Sequence, residues 1–186
     1  EYIKTSRLIK VLLEDASDME VHLVENGWPE EISILEKADL ILTISDGIDG
    51  PNGSPVPFMT DERMAILEKQ MERGCGFMTY HFSTFAPDSY GKQILQWGGG
   101  YFDWQNASGE REWYSDIQYR NEEVELPSSA HPISRGVEPF ALWEEYYFKI
   151  RFAEDDERLI PLVQVPSLTN DQPMGNVVAW AVERED

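Results

Sequence analysis

A histidine closes a short apolar run in Gly76-Phe77-Met78-Thr79-Tyr80-His81, just after the passage Arg73-Gly74-Cys75 that ends a helical pattern. An open parallel sheet binds ligands outside the carboxyl ends of its strands. His81 therefore stands where an α/β protein would place a working side chain, and imidazole exchanges protons near neutral pH. The plainer alternative is a histidine that caps a strand beside a surface loop. Trp143–Ile150 reads as a strand that carries two carboxylates, Glu144 and Glu145. A carboxylate and a histidine form a natural general acid–base pair. Side chains alternate across a strand, so only one of the two glutamates can face a cleft. Glu145 is taken as that one. His131, in His131-Pro132-Ile133-Ser134-Arg135-Gly136, is either a rigid corner bonded to local backbone or a further substrate contact. His22, flanked by Val21 and Leu23, reads as a solvated strand residue.

Motif searches narrow the chemistry further. Gly98-Gly99-Gly100 lacks the spacing of a phosphate-binding loop, and HExxH, CxxC and GxSxG patterns are absent from the sequence. A divalent metal would need three or more protein ligands, so the sequence assigns neither a metal nor a cofactor. Cys75 is the only cysteine, which excludes an intrachain disulfide. Its place between two glycines suits a buried thiol better than a nucleophile.

The elements that must position these groups follow from periodicity. The chain has 186 residues, 41% of them hydrophobic and 12% aromatic, enough for a folded core. Its net charge of −20 disfavours nucleic acid and anionic membrane surfaces but is compatible with a neutral sugar or a metal ion. No apolar run approaches the ~20 residues of a membrane span. Self-association is compatible with the sequence, and a compartment is not indicated. Residues 1–16 read as an amphipathic helix and Met19–Val24 as a strand. A short helix over Glu30–Lys37 precedes the continuous apolar run 39–44, as expected for a strand buried on both faces. The Gly- and Pro-rich stretch 45–58 is a long loop. Thr60 is placed to cap a helix that ends at Gly74. Ser89–Trp97 is helical, and strands are expected at 118–126, 143–150, 159–165 and 176–182. Trp104, Trp113, Tyr114 and Tyr119 either stack on sugar rings or seal a satellite core. The alternation of helix and strand in the first half predicts an α/β protein with a parallel, doubly wound sheet and helices on both faces.

Five ordered motifs carry a resemblance: Lys37-Ala38-Asp39-Leu40-Ile41-Leu42, the Gly74–His81 segment, Gly98–Phe102, His131–Gly136 and Glu144-Glu145-Tyr146-Tyr147. Together they resemble the ThuA-like (trehalose utilisation) family over Glu1 to about Trp180. The resemblance implies a flavodoxin-like, class I glutamine amidotransferase-like fold and a role in carbohydrate metabolism. It implies acid–base chemistry on a disaccharide or keto-sugar by a hydrolase, lyase or isomerase, or sugar binding without catalysis. His81 falls where true amidotransferases carry their cysteine, so glutamine hydrolysis is not implied. His81, Glu145 and Tyr147 would be catalytic, and Glu144, Trp104 and His131 would bind substrate. The opening on a helix, with no strand before it, predicts a chain that starts just after its natural first strand, and the resemblance implies a single domain over residues 1–186 that is cut at both ends. The resemblance likewise sets a histidine-bearing loop before Glu1 and a Gly-His segment beyond Asp186, so weak or no catalysis is expected of these residues alone.

Overall fold

The computed structural model describes residues 2–16, 18–25, 27–45, 58–103, 115–168 and 171–184. The long loop expected over 45–58, together with Trp104, Trp113 and Tyr114, lies almost wholly outside them. The chain divides into two compact units, Glu1–Gly47 with Ser54–Thr84, and Ile48–Gly53 with Phe85–Asp186.

The first unit begins with α1 (Tyr2–Ala16). Its apolar residues Ile3, Leu8, Val11 and Leu12 stand exposed. The helix holds the following segment by polar contacts: Arg7 pairs with Glu25 at 2.6 Å, and Lys10 donates to the Val21 carbonyl at 2.6 Å. Residues 19–24 are not the strand that their alternation suggests. Lys10 holds a carbonyl that a strand partner would otherwise take, and the alternating pattern alone supplies no ladder.

The short helix α2 (Ser33–Lys37) precedes β1 (Leu40–Ile44), and α3 (Asp61–Glu72) precedes β2 (Gly76–Tyr80). Thr60 caps α3 as its sequence position indicates, accepting from the Arg63 backbone N–H. Met64, Leu67 and Met71 form its buried stripe, and Cys75 behind them is buried. Arg73 ties α3 to α2, donating to Gln70 Oε1 at 2.7 Å, to the Leu35 carbonyl at 3.0 Å and to the Ala38 carbonyl. The Leu35 and Ala38 carbonyls lie at the carboxyl end of α2, where backbone acceptors have capacity to spare. β1 and β2 pair in parallel, from Leu40 opposite Gly76 to Ile44 opposite Tyr80. Gly76 allows a close approach there, because a Cβ would lie 3.0 Å from Leu40 Cδ1 and 3.3 Å from the Asp39 carbonyl.

The second unit opens with α4 (Asp88–Gly98), closed by Gly99 in the left-handed region at φ 72°. β3 (Gly100–Tyr101) pairs antiparallel with β6 (Arg151–Phe152). β4 (Asp116–Val124) and β5 (Phe140–Phe148) form a nine-residue antiparallel ribbon. β7 (Leu159–Gln164) and β8 (Val177–Val182) form the last antiparallel pair. Val124, Tyr146, Phe148, Val165 and Leu168 make a buried cluster against which Val163 and Val178 pack. Each such side chain contributes about 1.5–3 kcal/mol by leaving water.

The flavodoxin-like parallel sheet expected from the sequence is therefore corrected. Among the described residues the strands pair two by two in four sheets, and three of the four pairs are antiparallel. The one parallel pair is not extended by further strands or enclosed by helices on both faces, and Leu40 and Met78 remain exposed. The physical reason lies in the connections. A parallel pair needs a crossover, usually helical, which α3 supplies between β1 and β2. Turns without a helix join β4 to β5 and β7 to β8, so those strands return antiparallel.

Candidate functional site

In the first unit, the chemistry gathers at the carboxyl end of the parallel pair. His81 follows β2 directly and opens a 3₁₀ turn, His81–Thr84. Its φ is +57°, in the left-handed region that side-chain-bearing residues visit at a cost. Histidine is among the types that tolerate this region best, and such conformations persist only where the surroundings impose them.

Ser83 does much of the imposing. Its side chain is fully buried, and its hydroxyl accepts from the Tyr80 N–H at 2.9 Å. Its single proton lies within reach of the Thr43 carbonyl at 2.6 Å and the Tyr80 carbonyl at 2.8 Å. One hydroxyl thus joins the ends of β1 and β2 and fixes the turn that carries His81. Thr84 adds a bond to the His81 carbonyl at 2.8 Å. Phe82 stands 5.1 Å from the imidazole, Tyr2 edge-on at 5.9 Å and Tyr80 at 6.4 Å.

In the second unit, β5 presents Glu145 and Tyr147 on one face and Glu144 and Tyr146 on the other. Glu145 and Tyr147 are half-buried, and the Tyr147 ring meets Phe102 edge-on at 5.6 Å and Phe85 at 6.2 Å. Those two phenylalanines stack on each other at 4.0 Å. Across the ribbon Tyr119 stands opposite Glu145, and Ile117 opposite Tyr147. Glu144 is exposed, and its carboxylate accepts from the Glu145 N–H at 2.8 Å. Tyr146 faces the core and donates to the Leu142 carbonyl at 2.7 Å. Burial, then the charges of Glu122 and Glu144, push its phenol up from the usual tyrosine range. It is a structural phenol rather than an acid poised near neutrality.

His131 is placed in a turn. Its carbonyl accepts from the N–H groups of Ser134 and Arg135 at 3.0 and 2.8 Å, and its Nδ1 accepts from the Ile133 N–H at 3.3 Å. Its Nε2 lies 4.0 Å from Glu183. Trp104 is outside the described residues. The structure therefore groups Glu145 with Tyr147 on one ribbon face, and sets Glu144 on the other face and His131 in a separate turn. Among the described residues, no three or more His, Cys, Asp or Glu side chains converge as a metal ligand set would. No helix among them is long and apolar enough to cross a membrane.

Two contributing residues escaped the sequence reading. Ser83 looks like an ordinary loop serine, and its signal is only a hydroxyl three residues after Tyr80, the spacing of a backbone-bonding turn. Trp143 lies two positions before Glu145, and strand alternation puts it on the Glu145 face.

Comparison with known proteins yields a likeness of fold. No protein-family model matches the chain, and no curated protein matches it. A solved structure described as a ThuA-like protein from Bacteroides uniformis ATCC 8492 is similar to it with a TM-score of 0.57 at 15% identity. The match covers 88% of this chain and 59% of that one.

Proposed function

We propose that the chain is a ThuA-like protein of carbohydrate metabolism, in which His81 moves a proton on a neutral disaccharide or keto-sugar. Within the second unit, Glu145 and Tyr147, which share one face of the ribbon, are proposed to bind sugar hydroxyls. The observation that carries this reading is the backbone of His81: a residue with a full side chain is held at φ +57° at the end of a parallel strand. Strain of this kind concentrates at functional positions. The fold likeness to a protein described as ThuA-like supports the carbohydrate connection. Glutamine hydrolysis is not part of the proposal, because position 81 offers no thiol.

A second reading, sugar binding without turnover, is favoured by Tyr119, whose ring is 67% exposed directly across from Glu145. Mass spectrometry of disaccharides and their keto derivatives incubated with the protein separates the two. Turnover that His81→Gln lowers by about 10²–10⁴-fold supports the acid–base role. Turnover unchanged by that substitution overturns it. Binding with no turnover selects the second reading.

A further inference from the structure

The ribbon of β4 and β5 carries a second feature on the Glu145 face. Trp143 and Tyr119 are both large aromatic residues, and they are 68% and 67% exposed. Trp143 stands opposite Asn121 and Tyr119 opposite Glu145, so all four side chains share one face of the ribbon. Residues two apart on a strand are about 7 Å apart, and diagonal cross-strand neighbours about 7–8 Å, within reach of large rings. The two aromatic residues therefore flank Glu145 from two directions. Glu123 and Ala141 continue the same face, which carries no Lys or Arg between Ile117 and Glu123 or between Ala141 and Tyr147.

We infer that Trp143 and Tyr119 form a stacking platform for the ring of a neutral sugar, with the Glu145 carboxylate and the Asn121 amide directed at its hydroxyls. The inference rests on the carbohydrate reading above and names the residues that would hold the sugar. Aromatic faces left this open to water are costly unless something covers them. A pyranose offers them an apolar face of C–H groups and a rim of hydroxyl donors. A carboxylate accepts several such donors at once, whatever else it already engages. An anionic ligand would meet Glu145 and Glu123 with no compensating cation on this face. An organic cation would also be drawn to aromatic rings and carboxylates, but its attraction to exposed groups is screened by salt. A neutral sugar lacks that dependence.

The test is titration of the chain with a panel of neutral sugars, including methyl glucoside, maltose and trehalose, at low and high salt. Tetramethylammonium serves as the cationic comparison. The variants are Trp143→Ala, Tyr119→Ala and the conservative Trp143→Phe, each checked for an unchanged melting temperature. The expected result is sugar binding by the wild type, insensitive to salt and about tenfold weaker in each alanine variant. Trp143→Phe should restore most of it. Wild-type binding that neither alanine substitution weakens overturns the platform and leaves the carbohydrate reading standing. Salt-sensitive binding of tetramethylammonium with no sugar bound overturns it in favour of a cationic ligand. A wild type that neither binds nor converts any sugar overturns both.

Discussion

The parallel pair β1–β2 and the antiparallel ribbon β4–β5 place side chains in opposite ways. Five residues of each strand form the first pair, and a helix must cross over between them. Both strands then end together, and the turn after them presents one histidine at one point. In the ribbon, nine residues of each strand run side by side with no crossover. Alternation then displays a whole row, Trp143, Glu145 and Tyr147, on one face. A parallel pair suits a single reacting group held under strain; a ribbon suits a surface that a ligand can lie on.

Their stability should differ as well, and the largest expected effect is in the ribbon. Phe148 is buried among Val124, Tyr146, Val165 and Leu168, so Phe148→Ala should cost about 3–5 kcal/mol in urea unfolding. A loss below about 1 kcal/mol would mean that the cluster does not hold the ribbon to β7. The ends of the parallel pair are tied instead by one hydroxyl. Ser83→Ala leaves the Tyr80 N–H without its acceptor and should cost about 1–3 kcal/mol. It should also move the His81 resonances in an NMR spectrum, and unchanged shifts would remove Ser83 as the residue that shapes the turn.

A smaller effect separates the units by pH. Burial, and then the charge of Asp103, push the Tyr101 phenol up to about 12. Tyr101 donates to Asp103 at 3.3 Å, and Asp103 is paired with Arg151 at 2.6 Å. The folded phenol is thus harder to ionise than the unfolded one. Its contribution is complete below pH 10, the ordinary tyrosine value, and is lost as pH rises toward 12. The loss should reach about 1–2 kcal/mol between pH 11 and 12. Tyr101→Phe should reduce that slope to the part that Tyr146, also pushed up, contributes, and an undiminished slope would assign it to another group. The smallest effect belongs to α1. Leu12 is 58% exposed, so Leu12→Ala should change stability by less than about 0.5 kcal/mol. A larger loss, measured by urea unfolding, would show that the apolar side of this helix is covered in solution.

Element positions were readable where local chemistry dictates them. Thr60 and Gly74 bracket α3, and the apolar run at 39–44 and the glycine before Phe77 mark the two parallel strands. Strand partners were not readable in this way. The alternation of helix and strand before residue 81 predicts a parallel sheet, but among the described residues the connections after residue 116 contain no helix. Met19–Val24 has the alternation of a strand but finds a lysine side chain rather than a ladder. For the candidate site, the sequence placed His81 at a strand end and Glu145 and Glu144 on opposite faces. It could not reveal the left-handed backbone at His81, because no glycine marks it and the cause, Ser83 bonded to Thr43, spans 40 residues. The stacked Phe85 and Phe102 beneath Tyr147 were hidden for the same reason: contact across the fold leaves no local period.

The hydrogen bond from the Trp180 indole to the Gly98 carbonyl, at 2.6 Å, sets an order of events during synthesis. The two residues are 82 positions apart, and Val182 and Leu159 fill the space beside Gly99 so closely that a Cβ there would lie 2.3 Å from Val182. The carboxyl end of α4 is therefore finished by a strand that leaves the ribosome long after the helix does. At ordinary elongation rates the delay is roughly 4–16 s, far longer than a helix takes to form. During that interval Gly98 and the neighbouring aromatic side chains wait without their final cover. The cover over the end of α4 is complete only once β8 has been made.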